Sequence, residues 1–490
     1  MILNELIDIL KDKEVFGDHE IDITGIAYNS NLVQPGNLFV AIPGFVTNGH
    51  KYVNEAIGKG AKAVVSEKRV ETPGHVSNII VPEARRVMAE LANNFYGYPS
   101  RKLKVIGITG TNGKTTICHI LESILRYAGY KVGLIGTIEA RVNDKIIPSK
   151  LTTPESVDLQ NILNVMVEEG VTHVLMEVSS HSLALDRVYG TEFDLGIYTN
   201  LTHDHLDFHK TMEDYFNAKL KLFKSLSAGA KKGALGLVNK DDAHSGKVLD
   251  AVKGKGLTYG LDYSSNLSAK DVKFGLDKVS FKVATESEFI ELSSKLIGLP
   301  NVYNILASIL CGLSLGLDLI DIKDAIERID GVPGRFERVR AGQDFEVIVD
   351  FAHSPDSLQK LIKTYRPFAK GRILLVFGCP GDRDKTKRPM MGEIAARLSD
   401  YTIITTDDPH AEDPVKIINE IEKGFLNFKF QISNFEKIVD RRKAIEKVLS
   451  LAKKDDIVLI AGRGHEKFQD FAGENIEIDD REVVKSFFKR

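Results

Sequence analysis

The sequence predicts an α/β protein with three domains. Its length of 490 residues is enough for about three domains of ordinary size. Short apolar runs alternate with helical patterns along almost the whole chain, which is typical of parallel sheets covered by helices. Hydrophobic residues make up 43% of the chain and charged residues 27%, which is the balance of a globular protein with a large core.

The first predicted domain, residues 1–99, is a small α/β domain. Modest strands are expected at 37–42 and 63–66, and a helical pattern follows at 83–96. The polar stretch 98–101, which contains a proline, is the expected linker to the next domain.

The second predicted domain, residues 100–333, carries a mostly parallel sheet. It opens with a strand at 104–109, a glycine-rich loop and a helix that continues to about residue 130. Alternating polar and apolar residues within 256–292 predict an antiparallel part, and a helix is expected at 302–315. The other apolar runs of this domain lie at 132–135, 174–178, 196–199 and 236–238.

The third predicted domain, residues 334–490, is doubly wound and Rossmann-like. The turn-rich sequence at 331–335 marks its beginning. Helical segments separate its predicted strands, so ligand groups are expected at the carboxyl ends of these strands. The strands are expected at 347–351, 373–377, 402–405 and 457–460.

The overall charge and the cysteines limit the possible functions. Lys and Arg number 65 and Asp and Glu 68, which gives no reason to expect a nucleic-acid or membrane partner. Three scattered cysteines are too few for a disulfide framework or a zinc site. The amphipathic, acidic amino terminus is unlike a signal peptide or an anchor, so a cytoplasmic protein is predicted, with a monomer as the default state.

A glycine-rich loop, TGTNGKTT at 109–116, lies between a predicted strand and a predicted helix. Its glycines leave backbone N–H groups free to face phosphate at a helix amino terminus. Ile108 stands where the general pattern has glycine, so this loop is a variant of it. The alternative is an ordinary tight turn, but the context favours ATP and a central domain that resembles P-loop ATPases. The candidate ATP-binding residues are Gly110, Thr111, Asn112, Gly113, Lys114, Thr115 and Thr116.

Two further motifs supply candidate magnesium ligands. Glu177 ends a predicted strand, and the hydroxyl of Thr115 suits the same ion. The segment 199–209 contains three histidines and two aspartates but no cysteine, so magnesium is expected rather than zinc. His205 is the predicted ligand in this segment, while its other two histidines are expected to be supporting or structural. The alternative for Glu177 is a solvated residue at a strand end.

Together, TGTNGKTT, EVSSH, NLTHDHLDFH and YFNAK resemble the Mur ligase family, and the resemblance covers essentially the whole chain. It implies an ATP-dependent ligase that joins an amino acid to a carboxylate through an acyl phosphate. It also implies that Lys219 is carbamylated and binds a second Mg²⁺, because a carbamate attracts the ion that an ammonium repels. By itself Lys219 would be interpreted as a surface lysine. The implied catalytic residues are Lys114, Glu177, His205 and Lys219.

The same resemblance extends the nucleotide site beyond the loop. It assigns Asn304 to ATP, Arg335 to the phosphates, and Asp350 and His353 to the ribose and adenine region. Each residue alone has an ordinary alternative, such as a helix cap or a linker arginine. Their order after the phosphate loop favours the nucleotide assignment.

The third domain resembles that of family members which attach a diamino acid to the D-glutamate of UDP-N-acetylmuramoyl-L-alanyl-D-glutamate for the bacterial cell wall. Members that use meso-diaminopimelate typically carry Asp-Asn-Pro-Arg where this chain has Asp-Asp-Pro-His at 407–410. Loss of the arginine and gain of an acid favour lysine, although a charged His410 leaves diaminopimelate open. The implied amino-acid-binding residues are Arg383, Asp407, Asp408, His410, Gly462 and Glu466.

Donor binding is assigned by the same resemblance. Leu185 stands where related enzymes usually carry glutamine, which removes one expected polar contact. The segment 44–50 also matches the region that binds the uridine nucleotide. The implied donor-binding residues are Asn29, Ser30, Thr152, Thr153, Ser179 and Arg187.

Three other functions remain open at the level of sequence. They are a sibling ligase with a different carboxylate substrate, a P-loop phosphotransferase, and a nucleotide-binding module without catalysis. Phosphate release that requires an amino acid would separate a ligase from the last two.

Overall fold

A computed structural model of the chain describes residues 1–44, 47–147, 151–229, 231–285, 288–427 and 434–489. Its three main sheets lie one after another along the sequence. The structure confirms the predicted three-part α/β fold with mostly parallel sheets. Among the described residues, no helix is long and apolar enough to cross a bilayer.

The first sheet has the strand order β1-β5-β4-β3-β2, in which only β1 runs antiparallel to its neighbour. Its strands are β1 (Glu14–Phe16), β2 (Ile26–Ala27), β3 (Leu38–Val40), β4 (Ala63–Ser66) and β5 (Ser77–Ile80). The helices around it are α1 (Leu3–Ile7), α2 (Val53–Gly58) and α3 (Ala84–Phe95).

The second sheet is the largest, and its order is β16-β15-β14-β13-β12-β11-β6-β10-β7-β8-β9. Pairing is parallel from β7 to β14 and antiparallel at both edges, which confirms the expected antiparallel part. Its strands are β6 (Lys104–Thr109), β7 (Val132–Ile135), β8 (Ala140–Val142), β9 (Lys145–Ile147), β10 (His173–Glu177), β11 (Leu195–Tyr198), β12 (Leu235–Asn239), β13 (Gly256–Gly260), β14 (Leu267–Phe274), β15 (Val279–Ala284) and β16 (Phe289–Ser294). The helices are α4 (Lys114–Tyr127), α5 (Ser156–Glu168), α6 (Ser180–Ala184), α7 (Leu206–His209), α8 (Met212–Ala228), α9 (Ser245–Ala251), α10 (Leu299–Ser314) and α11 (Leu319–Glu327).

The third sheet has the order β17-β18-β22-β19-β20-β21 and is parallel except at β17. A separate hairpin, β23–β24, follows its last strand. The strands are β17 (Glu337–Arg338), β18 (Glu346–Asp350), β19 (Ile373–Phe377), β20 (Tyr401–Ile404), β21 (Asn434–Lys437), β22 (Ile457–Ala461), β23 (Phe468–Phe471) and β24 (Glu474–Glu477). The helices are α12 (Pro355–Tyr365), α13 (Lys387–Leu398), α14 (Pro414–Asn427), α15 (Arg441–Leu451) and α16 (Asp480–Phe488).

Both large sheets are covered on two faces, and this explains their continuous apolar strands. In β6, Ile106 and Ile108 belong to one core cluster while Val105 belongs to the cluster on the opposite face. In β19, Leu375 and Leu374 are divided between two clusters in the same way. Strands buried on both sides lose the polar alternation of exposed sheets, so the sequence shows short uninterrupted apolar runs.

The strand order brings the motifs together. The adjacent strands β11, β6 and β10 end at Tyr198, Thr109 and Glu177, so the three motifs that follow or include these ends share one sheet edge. In the third sheet the segments after β22, β19 and β20 meet in the same way. Parallel sheets place their ligand-binding loops at this carboxyl edge.

Candidate active site

The phosphate loop has a backbone that requires glycine at two positions. Gly110 and Gly113 have φ angles of +148° and +97°, and a side chain at Gly110 would collide with the hydroxyl of Thr199. Thr199, which directly follows β11, stabilises the loop, because its hydroxyl donates to the carbonyl of Asn112 at 2.6 Å. This arrangement leaves the loop open at the amino terminus of α4, where anions bind.

Two lysines, one half-buried and one fully buried, meet beneath this loop. The Nζ atoms of Lys114 and Lys219 each donate to the carbonyl oxygen of Gly110 at 2.9 Å. Lys219 is 1% exposed, and burial, with the charge of Lys114 adding to it, holds its pKa well below the usual range. A lower pKa increases the neutral fraction of the amine, and the neutral form is the one that reacts with carbon dioxide to give the carbamate that the family resemblance implies.

Glu177 is buried at the end of β10 and accepts several hydrogen bonds. Its carboxylate accepts from the hydroxyl of Thr115 at 3.0 Å and from the backbone N–H and hydroxyl of Thr137 at 2.9 and 3.0 Å. A carboxylate beside a hydroxyl at the end of a phosphate loop is a donor set that magnesium prefers. These residues therefore fit the ion that the sequence predicts.

Asp204 is a site residue that the sequence analysis missed. It is 5% exposed, and its carboxylate lies 3.7 Å from Nε2 of His205 and 3.9 Å from that of His353. Burial opposes its ionisation, but His205, Lys387 and His353 outweigh this and lower its pKa. Its position next to His205 in the same motif was the available signal.

The three histidines of this motif have different surroundings. Burial lowers the pKa of His205 to about 3, which leaves a neutral imidazole able to ligate a metal. His203 instead contacts Asp384 of the third sheet at 3.1 Å, and His209 contacts the hydroxyl of Ser180 at 2.9 Å. Both contacts agree with the supporting roles expected for these two residues.

A cavity of about 560 Å³ joins these groups to the donor residues and to the third sheet. On the donor side, the Thr153 hydroxyl donates to the carbonyl of Glu177 at 2.8 Å, and the guanidinium of Arg187 lies 2.9 Å from Glu155. The predicted site residues that line the cavity are Thr111, Asn112, Gly113, Lys114, Thr115, Thr116, Thr152, Thr153, Glu177, Ser179, Arg187, His205, Arg335, His353, Arg383 and Glu466.

The predicted uridine-binding residues lie outside this cavity, in the first sheet region. Asn29 caps a short 3₁₀ helix, and Ser30 is buried. The neighbouring Tyr28 donates to Asp158 at 2.5 Å, which connects this segment to α5 of the second sheet region. Part of the matching segment 44–50, residues 45 and 46, lies outside the described residues.

A second cavity of about 740 Å³ borders the same loop at Asn112 and Gly113 and is mainly apolar. Of the other predicted ATP residues, Asn304 lines it. His353 lies instead in the first cavity, and the buried carboxylate of Asp350 accepts from the N–H of Phe336 at 2.7 Å. The structure thus separates Asn304 from the two residues that were expected near the ribose and adenine.

Arg335, at the end of the turn-rich segment 331–335, contacts the phosphate loop. Its guanidinium donates to the Thr115 hydroxyl at 3.1 Å and lies 4.5 Å from the centre of the Phe351 ring. Asn112 makes a second link, because its side-chain amide donates to Asp356 of α12 at 3.1 Å. The two large sheets are thereby held together around the loop.

An acidic cluster in the third sheet surrounds a buried arginine that the sequence analysis missed. Oxygens of Asp407, Asp408 and Glu466 lie within 4.8 Å of one another. Arg463 has no exposed side-chain surface and pairs with Asp408 and, at 3.4 Å, with Glu466. Arg463 stands between Gly462 and Glu466 in AGRGHE at 461–466, but no local pattern distinguishes it from a surface charge. Gly462 has a φ of +112°, and a side chain there would collide with Asp407.

Arg383 and His410 complete the predicted amino-acid site. Arg383 is exposed, lines the cavity, and has no carboxylate within 4.0 Å among the described residues, so it is available to an anion. His410 lies in the adjacent loop, and its Nδ1 contacts Asp470 at 3.0 Å. Asp408 was expected to be a free acid that could bind an ammonium. The structure shows that it is not free, because Arg463 already pairs with it.

Comparisons with known proteins match every part of the chain. Three family models match: "Mur ligase family, catalytic domain" at residues 22–96, "Mur ligase middle domain" at 108–312, and "Mur ligase, glutamate ligase domain" at 334–464. A relative from Caldanaerobacter subterraneus subsp. tengcongensis, named UDP-N-acetylmuramoyl-L-alanyl-D-glutamate–2,6-diaminopimelate ligase, is 46% identical over 483 residues, 98% of each chain. One of the same name from Clostridium tetani is 42% identical over 494 residues, 100% of this chain and 99% of its own.

Solved structures of Mur ligases also match this chain. A structure titled with the same ligase name matches with a TM-score of 0.69 and 29% identity, over 100% of this chain and 99% of its own. MurF ligase from Thermotoga maritima in complex with ADP matches with a TM-score of 0.64 over 95% and 97%, and at 21% identity it supports the fold alone.

The fold and the phosphate loop define a three-domain ATP-dependent ligase. The chain belongs to the Mur ligase family, as its motifs predicted. The names of both relatives specify 2,6-diaminopimelate, so the prediction of lysine is not supported.

Proposed function

We propose that this ligase attaches 2,6-diaminopimelate to the γ-carboxylate of D-glutamate in UDP-N-acetylmuramoyl-L-alanyl-D-glutamate, with conversion of ATP to ADP and phosphate. The amino acid and the donor are taken from the names of relatives that are 46% and 42% identical over almost their whole length. The observation that carries the proposal is one cavity bordered by the phosphate loop, the donor residues and Arg383.

The reaction has two steps. The donor carboxylate attacks the γ-phosphorus of ATP, ADP leaves, and an acyl phosphate forms. The amino group of the incoming amino acid then attacks the acyl carbon and loses a proton, and phosphate leaves as the amide forms. Such a reaction depends mainly on positioning and on stabilisation of charge. Lys114 supplies a fixed cation at the loop, and Arg335 reaches the same place from the linker.

Magnesium would supply charge neutralisation at the phosphates. The residues that would hold it are Thr115, Glu177, His205 and the carbamate of Lys219. These four residues lie on or directly beneath the edge where β6, β10 and β11 end. Hard oxygen ligands with a neutral imidazole suit this ion when it is bound together with ATP.

The two cavities support an assignment of the predicted residues to ATP, the donor and the amino acid. ATP is assigned to the phosphate loop with its base in the apolar cavity beside Asn304. The donor peptide is assigned to Thr152, Thr153, Ser179 and Arg187, and its uridine end to Asn29 and Ser30. The amino acid is assigned to Arg383, Asp407, Asp408, His410, Gly462 and Glu466.

The three sheets suggest one role for each domain. We assign residues 1–99 to the UDP end of the donor, 100–333 to ATP and 334–490 to the amino acid. A monomer remains the default assignment of the oligomeric state. A reaction of ATP with a UDP-linked precursor would take place in the cytoplasm.

The test is phosphate release by the purified protein with ATP, Mg²⁺ and the UDP-linked dipeptide. Meso-diaminopimelate, L-lysine and D-lysine are supplied separately, and product masses are measured. We expect release only when the donor and an amino acid are both present, with meso-diaminopimelate preferred. Release without an amino acid would indicate a phosphotransferase, and turnover with a different carboxylate would indicate a sibling ligase.

The protonation of Glu466 gives a pH-dependent prediction. Burial and Asp407 raise its pKa to about 8, although Arg463 opposes this. The carboxyl is therefore mostly protonated at pH 6.5 and mostly ionised at pH 8.5. Ionisation adds a negative charge to a cluster in which Asp408 already pairs with Arg463, so the single guanidinium no longer balances the cluster and an ammonium is attracted. We expect the affinity for the amino acid to rise about tenfold over this range and to become level above it.

Calorimetric titration of the ADP-loaded protein with meso-diaminopimelate measures this affinity. The variant Glu466→Gln should bind weakly at pH 8.5 and show no rise. Glu474→Gln, an exposed residue nearby, is the control and should behave like the unchanged protein. An equal rise in Glu466→Gln would show that another group is responsible.

A further inference from the structure

The hairpin β23–β24 is attached to the loop that carries His410. The N–H of His410 donates to the carbonyl of Asp470 at 3.0 Å, and the N–H of Ala472 donates to the carbonyl of His410 at 2.8 Å. His410 has a φ of +49°, which is uncommon for a residue other than glycine. The hairpin therefore holds this backbone in an unusual conformation beside the amino-acid site.

One residue of the hairpin, Asp470, contacts both positions at which this chain differs from the Asp-Asn-Pro-Arg pattern, through its side chain at one and its backbone N–H at the other. The carboxylate of Asp470 lies 3.0 Å from Nδ1 of His410, and the N–H of Asp470 donates to Asp408 at 3.1 Å. The N–H of Gly473 donates to the other oxygen of the carboxylate at 2.7 Å. Asp470 is thus fixed by its own hairpin and in turn fixes the imidazole.

This contact determines which nitrogen of His410 is available. An ionised carboxylate only accepts hydrogen bonds, so Nδ1 carries the proton that it shares with Asp470. The backbone N–H of Gly473 and the hydrogen bond from His410 lower the pKa of Asp470 and keep it ionised. Nε2 makes no hydrogen bond among the described residues. It accepts a hydrogen bond when the ring is neutral and donates one when the ring is charged.

Other charges surround the pair on each side. Asp408 is paired with Arg463, and Glu466 lies behind them. From the neighbouring loop, Asp382 accepts the N–H of Ala411 at 3.1 Å, and Glu412 is occupied by Lys385 and Arg388. Arg383 of that loop has no carboxylate within 4.0 Å among the described residues, so it can take one carboxylate of the ligand while His410 remains for the other end.

We propose that Asp470 is a positioning residue which directs Nε2 of His410 toward the distal end of the incoming diamino acid. The charged imidazole donates to the distal carboxylate of diaminopimelate, whereas the neutral imidazole accepts from the distal ammonium of lysine. The inference deepens the proposed function and rests on it. In this arrangement a histidine and a carboxylate, which lie 60 residues apart in sequence, together take the place of the single arginine of the usual pattern.

The test compares kcat and KM for meso-diaminopimelate and L-lysine in full-length variants. For Asp470→Asn we expect KM for meso-diaminopimelate to rise roughly tenfold with kcat within about twofold, since one charge-assisted hydrogen bond is lost. KM for lysine should change less than about twofold. The preference for diaminopimelate should fall by a similar factor in His410→Gln.

The controls separate this effect from misfolding. Glu474→Gln, on the same hairpin and exposed, should keep the preference. Thermal unfolding and ADP binding should be unchanged in Asp470→Asn. A preference that is retained in Asp470→Asn or in His410→Gln would overturn the inference alone. An unchanged enzyme that turns over no diamino acid would instead overturn the proposed function, and the inference with it.

Discussion

Replacement of Lys219 by alanine is expected to lower kcat by roughly a thousandfold, the upper range for loss of one electrostatic group from a transition state. Lys219 is buried and shares the carbonyl of Gly110 with Lys114. Two ammonium groups at one carbonyl repel each other, and this repulsion adds to burial in lowering the pKa of Lys219. A carbamate there would turn a repelled cation into an anion that binds both Lys114 and a metal ion.

Arginine and glutamate at position 219 distinguish the carbamate from a simple lysine. Lys219→Arg keeps a cation but cannot form the carbamate, so it should be as inactive as alanine, while Lys219→Glu should regain part of the activity. Lys224→Ala, exposed on the same helix α8, is the control and should retain full activity. Incubation with ¹³C-labelled bicarbonate should give one labelled lysine signal. Full activity in Lys219→Arg would contradict the carbamate.

The parts of the site that lie within one motif were predictable from the sequence. The phosphate loop depends on Gly110 and Gly113, whose positive φ angles belong to the loop itself. Glu177 follows an apolar strand, and the carboxyl ends of parallel strands gather at one edge. Because β10 lies next to β6, the two motifs had to meet once the sheet formed. Parallel strands and the order of the motifs along the chain were therefore enough to predict that the phosphate loop and Glu177 lie together.

The parts that depend on distant residues were not predictable. Arg463 neutralises Asp408 from 55 residues away, and Asp470 holds His410 from 60 residues away. Neither residue has a local pattern that distinguishes it from a surface charge. The prediction of lysine as the incoming amino acid assumed that Asp408 was free. The sequence did not show that Arg463 pairs with Asp408, and this is why the prediction lacks support. The short edge strands, such as β17, also lack any strong apolar pattern.

Contacts between the two large sheets connect the two halves of the chemistry. His203 contacts Asp384, which is the neighbour of Arg383 in the amino-acid loop. Two positions further along the chain from His203 lies His205, the candidate metal ligand. If Arg383 holds the amino acid as proposed, the His203–Asp384 contact connects its loop to the sheet edge that carries the phosphate loop. Closure of the two domains around both substrates would exclude water from an acyl phosphate that water would otherwise hydrolyse.

The second large effect is expected at Glu177. Glu177→Gln preserves the shape of the side chain but removes its charge, and an amide nitrogen cannot accept a hydrogen bond from Thr115 or Thr137. We expect kcat to fall between about a hundredfold and a thousandfold, with a higher Mg²⁺ concentration needed for half-maximal rate. The unsatisfied buried donor should also reduce the free energy of unfolding by about 1–3 kcal/mol.

Measurement of ADP binding with and without Mg²⁺ separates the two consequences of this change. If Glu177 holds the ion, the tighter binding that Mg²⁺ gives to the unchanged protein should be lost in Glu177→Gln, while binding of ADP alone should remain. Glu168→Gln, exposed at the end of α5, should show neither effect. A variant that is less stable but keeps both kcat and the effect of Mg²⁺ would show that Glu177 only braces Thr115 and Thr137. In that case the ion would have to be held by another carboxylate that lines the cavity, such as Asp204.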